Sequence, residues 1–430
     1  MAPSRGGKDT TKASRSAKTT AQKKQTARKT QDEPSPPTQG RPAIVTAPLK
    51  VQQSLLDVFS STFPHLLGLQ AAQDTLKPLL QEVKGHLYKR DFAAAFGKEE
   101  YLEAYAARWS ASRALGYLHI FHEVLQHFGA IDEDVMGEEL IPDNQRGKQS
   151  REHDLEIICL GGGAGAELVA LAGLLKLSES HSGLGIPNVA GAAAEDTIDS
   201  TDTNNPPSNR RLASTLVDVA DWSNVTAALT KAVFEQPKVS PYASAAVKAA
   251  AKPLVSSASA FSSRFYKQDV LEADFDISSL LTSTTSSSMI EENQRTPKST
   301  KKLLITLMFT LNELYATSIA ATQHFLINLT LAAEPGTLLL VVDSPGSYST
   351  VTINNSEKKY PLLWLLEHTL LNRAPKALDP GREDASEPVV WERVLSDESR
   401  WFRLPEGLRY PIELENMRYQ IHLYRRIKAT

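Results

Sequence analysis

Leu155-Glu156-Ile157-Ile158-Cys159-Leu160 runs without a break into Gly161-Gly162-Gly163-Ala164-Gly165-Ala166-Glu167. A short apolar run suits a buried strand, the glycines suit a tight turn, and Glu167–Leu177 has the spacing and composition of a helix. Strand, glycine turn and helix in that order open a nucleotide-type α/β unit. Further strands are predicted at Ser214–Val219, Phe265–Lys267, Leu304–Phe309 and Thr337–Val342, with helical segments such as Asn224–Phe234 and Ala316–Leu331 between them. This alternation predicts a mostly parallel sheet covered on both faces. Near the end, Met417, Tyr419, Ile421 and Leu423 alternate with Arg418, Gln420, His422 and Tyr424. That period-two strand, with Trp401–Leu404, predicts an antiparallel hairpin closing the sheet.

Upstream, the pattern is helical. Leu55, Leu56, Val58 and Phe59, then Leu76, Leu79, Leu80, Val83 and Leu87, recur at helical spacing, with Pro78 in a first turn. Glu99–Trp109 and Ser112–Phe128 read as two more helices, the second capped by Ser110 or Ser112. The expected organisation is therefore a basic tail over residues 1–48, a helical unit over 49–130 and an α/β domain over 151–430. A polar link, Ile131–Asp154, joins the last two. Ser178–Arg211, Gln236–Ser263 and Ser278–Lys301 are rich in small and polar residues and are expected to be surface insertions, partly or wholly disordered.

Composition narrows the chemistry. The 430 residues contain one cysteine, Cys159, so no intrachain disulfide or cysteine-rich zinc module can form, and a reducing compartment fits. The longest apolar stretches fall far short of the roughly 20 residues that span a bilayer, and the basic start lacks the apolar core of a secretory signal. A soluble, intracellular protein is expected. The formal net charge is −3, but residues 1–30 hold nine Lys/Arg against Asp9. A basic tail on an acidic body points to nuclear import or nucleic-acid contact by the tail. No GxSxG elbow and no GxxxxGK[ST] occurs, which disfavours an α/β-hydrolase and a P-loop nucleotidase.

Gly161, Gly163 and Gly165 let a backbone approach a ligand closely, and the helix behind them presents free N–H groups. Gly161-x-Gly163-x-x-Ala166 satisfies a dinucleotide pattern, while Gly161-x-Gly163-x-Gly165 satisfies the turn of S-adenosylmethionine sites. Asp218 ends the second strand, where a carboxylate can accept from ribose hydroxyls in either cofactor class. Asp269 follows the third, where methyltransferases commonly place an acid beside the adenine amino group. Asn312, Glu313 and Tyr315 follow the fourth, at the position facing substrate and methyl group. Four such features on four successive strands favour S-adenosylmethionine over NAD.

Several strings also carry a family resemblance. Val83-Lys84-x-x-Leu87-Tyr88-x-Arg90-Asp91-Phe92, Tyr105-x-x-Arg108-Trp109-Ser110-x-x-Arg113-Ala114-Leu115-x-Tyr117, Cys159–Glu167, Val217–Trp222 and Leu311–Tyr315 resemble a fungal family of S-adenosylmethionine-dependent methyltransferases. That family includes the 25S rRNA (uridine-N3) methyltransferase. The resemblance spans roughly residues 50–430 outside the insertions. It implies a class I, Rossmann-like methyltransferase fold with S-adenosyl-L-methionine as cofactor. It further implies methyl transfer to ribosomal RNA or a pre-ribosome, on a uridine ring nitrogen; the expected location is the nucleus, in the nucleolus, with the cytoplasm as the alternative. Transfer to a protein or small molecule, and a NAD-type binding module, are the alternatives. The sequence departs from the class at Cys159, where many class I enzymes place an acid two positions before the first glycine.

Three side-chain groups have two readings each. Arg108 or Arg113 can pair with the cofactor's carboxylate or close a helix junction. His119, His122 and Glu123 share a helix face at a spacing that can bind metal, but no motif supports this and no metal is expected. Residues 400–430 interleave Arg400, Arg403, Arg409, Arg418, Arg425, Arg426 and Lys428 with Trp401, Tyr410, Tyr419 and Tyr424. That mixture suits phosphate contact with base stacking, or an edge hairpin guarded by charge.

Overall fold

Five parallel strands and two antiparallel ones form one sheet in the order β3-β2-β1-β4-β5-β9-β8. The strands are β1 Leu155–Leu160, β2 Leu212–Asp218, β3 Phe261–Lys267, β4 Lys302–Met308, β5 Leu338–Asp343, β8 Trp391–Phe402 and β9 Met417–Arg426. A separate hairpin, β6 Tyr348–Ile353 with β7 Ser356–Pro361, lies between β5 and β8 in the chain. The computed structural model describes residues 47–128, 155–180, 211–237, four positions between 242 and 248, then 251–283, 302–353, 356–373 and 390–428. The basic tail up to residue 46, all of the 131–154 link, most of the 178–211 stretch and residues 284–301 lie outside the described residues.

Strand alternation sorts the side chains onto two cores, as a sheet covered on both faces requires. Ile157, Cys159, Leu304, Leu340, Val342, Ile421 and Leu423 face one core. Ile158, Leu160, Ile305, Leu307, Leu339 and Val341 face the other. The first core is closed by helices α1 (Leu49–Thr62), α4 (Ala111–Gln126), α5 (Ala166–Ser180) and α6 (Ser223–Phe234). Here α1 and α4 both pack on α5. A Cβ at Gly173 of α5 would press on Leu55, so the missing side chain lets α1 sit close. The second core is closed by α7 (Ile277–Ser283), α8 (Leu311–Thr317), α9 (Ile319–Ala332) and α10 (Leu362–Glu367).

Several sequence expectations change at this level. The helices expected to break at Ser110 or Ser112 are continuous: α3 (Glu99–Tyr105) passes through a π-helical turn, Ala106–Ser110, directly into α4. Ser110 is helical in φ and ψ and caps nothing, while the Ser112 hydroxyl accepts from the Glu415 N–H at 3.1 Å. A second π-helical turn, Ala72–Leu76, precedes α2 (Lys77–Tyr88) and leads into Pro78, whose ring nitrogen has no hydrogen to donate. The stretch expected as an insertion over 236–263 is packed at its end. Leu254 and Val255 are buried, the Val255 N–H donates to the Val233 carbonyl, and β3 starts four residues earlier than expected. Likewise Leu280 and Leu281, inside the expected 278–301 insertion, are buried in α7. The C-terminal hairpin uses one twelve-residue strand, β8, bent by irregularities at 393–395 and 397–400.

Candidate functional site

Site geometry begins where β1 ends. Gly161 and Gly165 take positive φ, which a side chain strongly resists, and the Gly161 N–H donates to the Val217 carbonyl at 2.7 Å. The turn lies between β2 and β4, where the strand order reverses, and open α/β sheets bind ligands at that crevice. Asp218, at the end of β2, grips the turn: its Oδ2 accepts from the Gly163 N–H and its Oδ1 from the Ala220 N–H, both at 3.1 Å. A Cβ on Gly163 would collide with the buried Trp222 indole, which packs with Phe96 and Tyr105. Gly163 is therefore small because an aromatic wall stands against it.

The opposite wall comes from α4, β4 and β5. Phe309 holds φ 58°, a left-handed value rare outside glycine, and its N–H donates to the Val342 carbonyl at 2.6 Å. The Arg113 guanidinium lies 4.9 Å from the Phe309 ring centroid and donates to the Tyr105 hydroxyl at 2.7 Å. Burial opposes that charge, but Tyr105, Tyr117 and Glu167 outweigh it and raise the Arg113 pKa, so the guanidinium stays charged. Asp343, ending β5, accepts from the Asn312 N–H at 3.0 Å and the Ser344 N–H at 2.7 Å.

Glu167 and Asp343 lie near enough for the Arg113 charge to act on them, and Asp218 lies near enough to act on Glu167. Burial pushes Glu167 up to about 7, against its own backbone hydrogen bond and the Arg113 charge. Burial likewise lifts Asp218 to about 6, opposed by the Ala220 and Gly163 N–H groups, and Asp343 to about 6, opposed by the Asn312 and Ser344 N–H groups. Glu313 lies beside them: its Oε1 accepts from Asn312 Nδ2 at 3.3 Å, and its buried Oε2 has no hydrogen-bond partner. Excess acid in a dry place suits a ligand that carries positive charge.

Not every predicted residue joins this group. Gly161, Gly163, Gly165, Asp218, Arg113, Asn312 and Glu313 lie on the turn or the walls just described. Asp269 follows β3, where its Oδ1 accepts from the Leu271 N–H at 2.9 Å. Tyr315 does not face the site. It is 2% exposed and packs in the second core, because it shares the buried face of α8 with Leu311 while Asn312 and Glu313 lie on the other side. Arg108 pairs with Glu415 in the irregular segment before β9, so its ion pair joins a helix to a loop rather than two helices. Of the histidine trio, His119 accepts from the Ala47 N–H at 3.2 Å and its Nδ1 bonds the Leu115 carbonyl, while Glu123 binds Arg400 at 2.8 Å.

Sequence reasoning leaves open whether Glu167 or an arginine stands in for the acid missing at Cys159, and it misses Asp343, Trp222 and Phe309 as wall residues. Asp343 had a readable signal, a carboxylate directly after the apolar run Leu338–Val342, the same signal that marks Asp218. Cys159 is fully buried, and burial raises its pKa, with Glu167 adding to the rise. A carboxylate from the first turn of α5 thus lies near the strand position that Cys159 occupies.

The chain belongs to the family described as putative SAM-dependent methyltransferases, whose pattern matches residues 59–425. It is 33% identical over 375 residues to the 25S rRNA (uridine(2843)-N(3))-methyltransferase of Saccharomyces cerevisiae, covering 86% of this chain and 85% of that one. Among solved structures it is similar to a SAM-dependent methyltransferase from Methanosarcina mazei, at 10% identity and a TM-score of 0.31 over 67% of this chain and 99% of that one. Human N-acetylserotonin methyltransferase in complex with SAM gives 10% and 0.25 over 86% and 70%. Such low scores add nothing to the fold, which rests on the strand order. The protein is a class I methyltransferase with S-adenosylmethionine as its cofactor.

The acidic cluster makes a prediction about pH. Each raised carboxyl binds its proton more tightly in the folded chain, so the folded state holds more protons between about pH 4 and about pH 7, and stability falls as pH rises through that window. Glu167 alone accounts for a cost on the order of 3 kcal/mol once fully ionised. A cationic ligand reverses the preference by favouring the ionised acids. Its thermal stabilisation of the protein should therefore grow from about pH 5.5 to about pH 8. Melting curves with and without S-adenosylmethionine measure this, and a ligand shift that shrinks with rising pH would contradict it.

Proposed function

We propose that this enzyme methylates the N3 nitrogen of a uridine in large-subunit ribosomal RNA. The carrying observation is 33% identity to the yeast enzyme over 85% of that enzyme's own length. The residues around the glycine turn fit the cofactor. Backbone N–H groups of the turn and the Asp218 carboxylate are assigned to the ribose, Asp269 to the adenine amino group, and Arg113 to the methionine carboxylate. Glu167, beside Cys159, takes the part of the missing strand acid and faces the ammonium end. Bound cofactor supplies an electrophilic methyl group.

The protein supplies position and a proton acceptor. Uracil N3 carries a proton that must leave before the nitrogen can accept a methyl group. Glu313 Oε2, buried and without a hydrogen-bond partner, is assigned to receive it, while Asn312 Nδ2 holds Oε1 and fixes the carboxylate plane. Aromatic walls from Tyr105, Phe309 and Trp222 keep water away, so the donors act at full strength. A base inside a duplex has to be extruded to reach such a site, so the target is an unpaired or flipped uridine.

The test is methylation of rRNA by purified protein with labelled S-adenosylmethionine, followed by mass spectrometry of the nucleosides. N3-methyluridine is expected. Label on another nucleoside, or only on protein or small-molecule acceptors, would refute the reading. Action on ribosomal RNA supports a role in ribosome biogenesis in the nucleolus, and the nine cations of residues 1–30 are assigned as the import signal. A fluorescent fusion to residues 1–46 that stays out of the nucleus would remove that role. Among the described residues no helix is long and apolar enough to cross a membrane.

A further inference from the structure

We propose that Trp401, Arg403 and Arg418 form a contact for an unpaired nucleotide of the RNA substrate, beside the base that is methylated; this rests on the RNA reading above. Trp401 is half exposed at 50%, although an indole gains from burial. The Arg403 and Arg418 guanidiniums lie 5.0 and 5.7 Å from its ring centroid. Arg418 Nε donates to the Ser399 hydroxyl at 3.1 Å, which steadies the guanidinium at the indole.

Charge pairing separates these two arginines from four others nearby, whereas the buried Arg426 bonds backbone carbonyls instead. Arg393 pairs with Glu367, Arg400 with Glu123 and Asp397, Arg425 with Glu392, and Arg108 with Glu415. Among the described residues, Arg403 and Arg418 have no carboxylate partner. A hairpin edge guarded only against aggregation needs charge anywhere along its length. Two unneutralised guanidiniums gathered on one exposed indole instead match a ligand with a flat ring and a phosphate.

The sheet register puts this patch at the correct end of the molecule. Strand β9 runs antiparallel to β5, with Gln420 opposite Asp343, and Trp401 of β8 sits opposite Arg418. Two strand spacings sideways and two residues along place Trp401 about 12 Å from Asp343 between Cα atoms. The patch therefore lies on the same edge as the glycine turn, Asp343 and Glu313, within reach of a nucleotide neighbouring the target.

The test uses the full-length protein and a fluorescent single-stranded oligouridylate, with Kd measured by anisotropy across a salt series. Arg403→Gln and Arg418→Gln should each weaken binding and lower the slope of log affinity against log salt by about 0.7, the value for one phosphate contact on a single strand. Trp401→Ala should weaken binding about tenfold and leave the slope unchanged, with Trp401→Phe recovering most of the loss. Unchanged S-adenosylmethionine binding shows that each variant is folded. Variants that bind the RNA with wild-type affinity and slope overturn the patch while the RNA reading stands. A wild-type protein that neither binds nor methylates RNA overturns both.

Discussion

Gly163→Ala should reduce S-adenosylmethionine binding at least a hundredfold and lower the stability of the fold by about 1–3 kcal/mol. The added Cβ would lie well inside van der Waals distance of the Trp222 ring. Trp222 cannot simply retreat, because it is buried and its ring packs against Phe96 at 5.5 Å and Tyr105 at 5.8 Å. The turn yields instead, and the Gly163 N–H leaves the Asp218 carboxylate that it meets at 3.1 Å. The glycine turn and the Asp218 carboxylate then move together. Titration calorimetry and melting curves measure the two effects. Gly85→Ala, in a helix with nothing near the new methyl group, should leave both unchanged or slightly improved. Trimming the wall in Gly163→Ala/Trp222→Leu should return part of the binding. If it does not while the protein stays folded, the methyl group itself blocks the cofactor and the aromatic wall is not the reason.

Much of this arrangement was readable because a doubly covered sheet writes its strands as apolar runs with catalytic residues just past their ends. Asp218 and the glycine turn follow from that rule, and so does Asp343, directly after the run Leu338–Val342. The beginning of β3 was hidden by composition: Ser262 and Ser263 look like the Ser-rich stretch before them, yet they pair with Ala213 and Ser214 of β2. Tyr315 was misjudged through its neighbours. Leu311 and Tyr315 are four apart and share the buried face of α8, a spacing already in the sequence. The Trp222, Phe96 and Tyr105 wall joins a strand-end loop to helices more than a hundred residues away, and no local pattern announces it. The continuous helix from 99 to 126 was equally silent. Serines that suit a cap also fit a π-helical turn, and tertiary contacts such as Ser112 with Glu415 decide between them.

Glu313→Gln should lower kcat for uridine methylation by about 10²–10⁴-fold, the usual range for losing a positioned base, with S-adenosylmethionine affinity nearly unchanged. The amide preserves the shape of the side chain and can still bond Asn312, but it cannot take a proton. The loss must therefore depend on pH in a particular way. Raising the pH ionises uracil N3 in solution, so an enzyme without its base recovers rate as the substrate deprotonates itself. The rate of Glu313→Gln should climb with pH well beyond the point where the wild-type rate levels off. Asn312→Ala gives a contrasting case: the carboxylate remains but is no longer held at 3.3 Å by the amide, so kcat falls less and the wild-type pH profile persists. Single-turnover rates for the three proteins across pH distinguish the roles. If Glu313→Gln keeps wild-type kcat, Glu313 is not the proton acceptor. If it loses rate in parallel with wild type at every pH, the carboxylate only orients the base.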